Sequence, residues 1–321
     1  MIWIPGQSTS STAVEADVLL PGRGRVDSSP ACDTLAGVVD PVTLSRTDSA
    51  ASGPRAGDLV RRHRLSTRLW HWSNALALLV LLMSGLMIFN AHPRLYWGQY
   101  GANHDPAWLE IGAREDEGYL RVGGLQVETT GVLGLWRDDS GRVQRWAFPG
   151  WATIPSYYSL ADARRWHLAF AWVLAVPLLV YMLWSLINRH IARDLRIRAN
   201  EVKPRHLWHD VVEHARLRFP TGEAALRYNI LQKLSYVAVI FILLPLVILT
   251  GMTMSPNLNA GMTPLLDLFG GRQSARSLHF IAALLLSVFL AGHVLLVLLS
   301  GPWNQLRGMV TGWYRLPGRR A

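Results

Sequence analysis

Four blocks of apolar residues, at about 69–89, 166–187, 231–251 and 278–299, divide the chain, and charged residues gather between them, Lys233 alone lying inside one. About 20 residues of helix cross a hydrocarbon layer of roughly 30 Å, and in lipid a helix satisfies its own backbone. The pattern predicts an all-α integral membrane protein, a four-transmembrane-helix bundle occupying residues 57–315. Between the first two blocks lies segment 90–165, in which YLRVGGLQVETTGVLGLW and GRVQRWAF alternate apolar and polar positions around glycine-rich turns. That alternation predicts short strands or a hairpin in an insertion between helices 1 and 2. Loop 188–230 contains RHLWHDVVEHARLRF, whose apolar spacing predicts an amphipathic helix on the membrane surface. Residues 1–56 show neither periodicity and are expected to form a disordered tail.

Charge orients the bundle. The net +10 would suit a nucleic-acid binder, but its placement beside the apolar blocks points to membrane topology instead. Lys and Arg number five in 54–68, nine in 188–230 and four in 300–321, against eight in the longer 90–165 and two in 252–277. The positive-inside rule then predicts cytoplasmic termini in a bacterial inner membrane, with the insertion in the periplasm and no nucleic-acid partner. The first residues lack the basic start and apolar core of a signal peptide. Cys32 is the sole cysteine, which excludes an intrachain disulfide, a Cys-ligated iron–sulfur cluster and C-x-x-C-H attachment of haem.

Ionisable residues inside membrane helices are costly and point to function. Four histidines fall in the blocks: His71, His167, His279 and His293. With helices alternating in direction, His71 and His293 share one depth, and His167 and His279 share the other. Fourteen residues of helix rise by about 21 Å and return to within about 40° of the starting direction, so both imidazoles of the fourth helix face one bundle interior. Neutral imidazole is a standard axial ligand of haem iron, and two bis-histidine haems follow as one reading. The other reading is structural: each histidine could bond a neighbouring backbone, cap a helix or sit at the interface. Arg64, Arg68, Arg165, Arg272 and Arg276 lie near these positions in sequence, as partners for anionic haem propionates or as ordinary flanking residues. His206, His209 and His214 suggest zinc but lack a regular ligand set and also read as a solvated helix face.

The motifs R-L-W-H-W at 68–72, S-G-L-M at 84–87, R-R-W-H at 164–167, Y-N-I-L-Q-K at 228–233 and H-x13-H at 279–293 carry a resemblance over residues 60–315. The chain resembles the dihaem membrane cytochromes b that include the b-type subunit of nickel–iron hydrogenase, the gamma subunit of formate dehydrogenase and the cytochrome b of thiosulfate reductase. The resemblance implies two haem b groups on His71, His167, His279 and His293 and a quinone near the cytoplasmic haem; among the flanking arginines, Arg68, Arg165 and Arg276 are the candidates for the propionates by charge and position alone. Asn229 and Gln232 can hydrogen-bond a quinone carbonyl, or simply be polar residues at a helix start. Leu231 is bulkier than its counterpart in the formate dehydrogenase type. The insertion is longer than in hydrogenase subunits and resembles cytochromes b that accompany periplasmic molybdopterin oxidoreductases. The implied function is electron transfer between the quinone pool and such a periplasmic enzyme, the chain being an oxidoreductase subunit. The alternatives are a self-sufficient cytochrome b561-like quinone oxidoreductase and a haem-free membrane anchor.

Overall fold

The computed structural model describes residues 57–187, 230–255 and 261–316, with isolated positions at 205, 208, 210–212 and 258. Residues 1–56 and most of loop 188–230 lie outside these, so the predicted tail is not described; of the predicted surface helix, Arg205, Trp208 and Asp210 to Val212 are helical. Four helical spans have the length and apolar composition to cross a membrane: Leu65–Asn90, Leu160–Ser185, Lys233–Met254 and Arg272–Leu299. The protein is an all-helical membrane bundle carrying a β-rich insertion. The first two spans lie in α1 (Leu65–Asn90) and α2 (Leu160–Ile187). The third runs from α3 (Ile230–Val237) through a π-helical stretch (Ala238–Leu243) into α4 (Leu244–Met254). A short α5 (Thr263–Leu268) leads to α6 (Arg272–Leu299), which is the fourth span, and α7 (Pro302–Thr311) follows it.

Mid-bundle, Ala77, Leu174, Leu178, Ile240, Leu244 and Leu286 bring all four spans into one apolar layer. At one end the two ends of the domain are joined. Strand β1 (Leu59–Arg61) pairs antiparallel with the last strand, Trp313–Arg315, and Leu59 stands opposite Arg315. Trp72 Nε1 donates to the Met309 carbonyl at 3.2 Å, and Arg68 donates to the carbonyls of Val310 and Thr311. Helix α7 is thereby locked against the start of α1. This is the terminal end.

The insertion closes the other end. Strands β2 (Arg94–Leu95), β3 (Leu109–Arg114), β4 (Glu117–Val122) and β5 (Leu125–Glu128) form an antiparallel sheet in that order. Gly123, with φ of +57°, makes the tight β4–β5 turn that a side chain would strain. A second hairpin joins β6 (Trp136–Arg137) to β7 (Val143–Gln144), which makes the Trp313–Arg315 strand β8. The insertion residues Leu95, Leu109, Ile111 and Ala147 form one core with Phe89 at the end of α1 and pack onto Phe280 of α6. Ile154 N donates to the Met83 carbonyl at 3.2 Å, drawing the end of the insertion down beside α1.

Helix α6 is anchored in the insertion through its first two turns. The Gly98 carbonyl accepts from the amides of Gln273 (3.0 Å) and Ser274 (3.1 Å), which would otherwise be orphaned at a helix start. Trp108 Nε1 donates to Ser277 Oγ at 2.9 Å, and Ser277 passes its proton to the Tyr96 carbonyl at 2.6 Å. Arg276 donates to the carbonyls of His92 and Arg94. Gly271 makes this approach possible: its φ is +108° and a Cβ there would lie 2.7 Å from the Gly98 carbonyl oxygen. Gly271→Ala is therefore expected to destabilise the protein by about 2 kcal/mol, measured as a lowered midpoint of thermal unfolding in detergent. An unchanged midpoint would show that this junction carries no stability.

Candidate functional site

The bundle brings the four membrane histidines together two by two. Near the insertion end, His167 of α2 and His279 of α6 have ring centroids 6.2 Å apart with planes inclined at 57°. Near the terminal end, His71 of α1 and His293 of α6 have centroids 6.3 Å apart, inclined at 61°. Helix α6 thus supplies one ring to each pair, and the apolar layer containing Leu286 lies between them.

The spacing discriminates among uses of a histidine pair. Two imidazoles in direct hydrogen bond would bring their nitrogens to about 2.9 Å. A metal between them needs about 2.0 Å to each nitrogen, and about 1.2 Å more from nitrogen to ring centre gives centroids about 6.4 Å apart. Both pairs match the second figure. The insertion-end rings also have their Nδ1 atoms turned away from the gap: His167 Nδ1 lies 3.0 Å from Ser84 Oγ, and His279 Nδ1 lies 3.1 Å from Thr250 Oγ1. That leaves Nε2 of each ring free to ligate. At the terminal end aromatic neighbours orient the rings. Phe289, one turn before His293, stacks on it at 6.1 Å and 15°, while Trp72 meets His71 edge-on at 5.3 Å. Among the described residues no cluster of three or more metal-ligating side chains occurs, so the donor set is paired imidazoles, which suits a metal whose other ligands come from a macrocycle. The residues present fit haem b.

The arginines have other duties as well. Arg276 and Arg68 donate to backbone carbonyls as described, and Arg68 retains a buried Nε with no acceptor among the described residues. Arg165 is largely exposed and pairs with Asp162 at 3.2 Å. Asn229 lies outside the described residues, and Gln232 lies in α3. His206, His209 and His214 also lie outside them.

Several residues at the pairs were not singled out as site residues from the sequence. Ser84 and Gly85 carry the resemblance only as part of S-G-L-M at 84–87, and Thr250 and Gly251 belong to no motif read from the sequence. Each glycine faces an imidazole: a Cβ at Gly85 would lie 3.4 Å from His167 Cε1, and one at Gly251 would lie 3.3 Å from His279 Cε1. The legible signal was a hydroxyl followed by glycine, at the depth of a histidine, in two different spans. His63 is a further case. It lies just before α1 and is 7 % exposed. Burial first, then the Arg62 charge, pushes its imidazole down to about 4, so it is neutral at physiological pH.

Paired imidazoles at two depths of a four-span bundle define a membrane cytochrome of the b type. A family model described as prokaryotic cytochrome b561 matches residues 62–312, and the chain belongs to that family. It is therefore a multi-pass bacterial membrane protein of a haem b-binding family. Among curated proteins it is similar to a putative protein-methionine-sulfoxide reductase subunit, YedZ1, of Azospira oryzae, at 29% identity over 143 residues, which cover 44% of this chain and 67% of the relative. No solved structure matches.

Proposed function

We propose that this protein is a dihaem electron-transfer subunit linking a membrane quinone to an oxidoreductase docked on its insertion. The observation that carries the reading is the pair of metal-sized gaps, 6.2 and 6.3 Å between ring centres, held by one helix at two depths. His167 and His279 would hold one haem b near the insertion and His71 and His293 a second, the ligands His279 and His293 being fourteen residues, about 21 Å, apart along α6. Each haem, when bound, supplies a one-electron ferric–ferrous couple. The protein's part is to fix the imidazoles, exclude water from the layer around Leu286, and neutralise anionic edges, with Arg68, Arg165 and Arg276 as candidate propionate partners.

The distribution of Lys and Arg supports termini in the cytoplasm and the insertion in the periplasm of an inner-membrane protein. The β1–β8 pairing agrees with both ends of the domain lying on one side. The insertion grips the first turns of α6 just before His279, so a soluble partner docked there would sit next to the insertion-end pair. A partner of the methionine-sulfoxide-reductase kind, as the relative's name suggests, or of the molybdopterin kind suits this arrangement. We assign the quinone to the terminal end because the sequence carries Asn229 and Gln232, both able to hydrogen-bond a quinone carbonyl, where the third span begins.

The test is a pyridine haemochrome count and optical redox titration on the full chain purified in detergent, followed by mixing with decylubiquinol or a menaquinol analogue. Two haems b per chain, two low-spin components and reduction by quinol are expected. A colourless protein, or one haem per chain, overturns the dihaem reading. A dihaem chain that no quinol reduces, and whose ferrous form no quinone oxidises, overturns the quinone assignment.

A further inference from the structure

The two hydroxyls at the insertion-end pair are built alike. Ser84 and Thr250 stand on different helices, α1 and α4, and each approaches a ring carried by a third or fourth, α2 and α6. Each is followed directly by the glycine whose missing Cβ leaves room for that same ring. Each also commits its own proton to the carbonyl four residues earlier, Ser84 to Val80 and Thr250 to Leu246, both at 2.6 Å. A hydroxyl has one proton, so once it is given to a carbonyl the oxygen can only accept from the imidazole. His167 and His279 must then carry their protons on Nδ1 and their lone pairs on Nε2.

We propose that Ser84-Gly85 and Thr250-Gly251 are paired positioning devices for the insertion-end haem, which fix the ligand tautomers and lower that site's reduction potential. The inference rests on the assignment of His167 and His279 as ligands. An acceptor at Nδ1–H makes the opposite nitrogen a more electron-rich ligand, which favours the ferric state. The glycine is the geometric half of the device, because it lets the helix come close enough for the hydroxyl to reach the ring. The terminal-end pair is not treated alike: His71 Nδ1 is buried with no acceptor among the described residues. The two ends therefore differ in the support given to their ligands, and losing the hydroxyls should move one end only.

The experiment is an optical redox titration of the full chain with both haems bound, on the parent, on Ser84→Ala, Thr250→Ala and the double variant, and on Ser84→Thr and Thr250→Ser. Haem is counted first in every sample, and the insertion-end component is identified as the one missing from His167→Ala. Each alanine variant is expected to shift the insertion-end ferric-to-ferrous balance about threefold toward ferrous. The double variant should shift it about tenfold, which is about 30 and 60 mV upward for one electron. The terminal-end component stays in place, and the hydroxyl-retaining variants titrate like the parent. An unmoved insertion-end component in the double variant, or equal shifts in the Ser84→Thr and Thr250→Ser controls, overturns the proposal. If the double variant loses haem, the single variants, each with one hydroxyl left, are read by the same criteria. Retention of both haems in His167→Ala instead removes the ligand assignment, a failure visible in the haem count before any potential is measured.

Discussion

His279→Ala is expected to halve the haem b content of the purified protein and to abolish electron passage between its two ends, while leaving the other haem in place. The expectation follows from how α6 distributes its rings. His279 is opposed by His167 at 6.2 Å, with Thr250 and Gly251 behind it. Nothing beside the lost ring can replace it: Thr250 has its proton committed to Leu246 and a neutral hydroxyl is a poor iron ligand. The terminal-end pair shares the helix but not the pocket, because the layer of Ala77, Leu174, Ile240 and Leu286 lies between. His293→Ala should give the mirror result, losing the other redox component. A haemochrome count with an optical titration reads both variants, and His206→Ala serves as the control that keeps both haems. Equal and complete loss of haem in His279→Ala and His293→Ala would mean that the two sites fold as one unit. Loss in His206→Ala would displace the ligand assignment altogether.

The spans and the pairing of depths were readable because both depend on simple periodicities, the length of an apolar run and the rise of a helix. The features beyond reach depended on contacts between distant segments. Helix α6 begins at Arg272, six residues before its apolar run, because the Gly98 carbonyl receives its first amides. No local signal in RQSARS announces a cap supplied from the insertion. The β1–β8 ladder joins three residues at each end of the domain, and Leu-Val-Arg alone says nothing about a partner at Trp313–Arg315. The third span was read as one regular helix, whereas its stretch Ala238–Leu243 is π-helical. Each residue added to a turn rotates the remainder of the helix by about 100°, so the face presented by Thr250 and Gly251 cannot be projected from the start of the span. Strands β4 to β7 were legible as alternation in 119–136 and 141–148, but β2, β3 and the carboxylate at the centre of the sheet were not: Glu110 of β3 is 3 % exposed.

Replacing that carboxylate is expected to loosen the insertion without touching either histidine pair. Glu110 accepts from Arg94 Nε at 2.9 Å, from Tyr119 Oη at 2.8 Å and from Arg121, so three donors from β2 and β4 converge on one residue of β3. Burial alone would raise its pKa, but the Tyr119 and Arg94 hydrogen bonds and the two guanidinium charges outweigh that and hold the carboxyl below its usual range. A carboxylate whose folded pKa is lowered adds stability that is present above its unfolded value of about 4.5, and that stability is lost as pH falls through the folded value. Breaking a buried ion pair typically costs about 3–5 kcal/mol. Here Arg94 and Arg121 remain 26% and 39% exposed on their side chains and can recover water, so Glu110→Gln should cost less, about 2 kcal/mol. The loss should appear at neutral pH as faster amide exchange across residues 94–128, and the difference from the parent should shrink as pH falls below the unfolded value of about 4.5 and through the lowered folded value. Haem content should stay at the parent value, since the bonds joining α6 to the insertion, from Gln273 and Ser274 to Gly98, from Trp108 to Ser277 and from Arg276 to the His92 and Arg94 carbonyls, do not use the Glu110 side chain. Unchanged exchange would show that the arginines, once resolvated, hold the sheet as well without the charge. Loss of the insertion-end haem would show instead that the sheet and the His279 pocket are one cooperative unit.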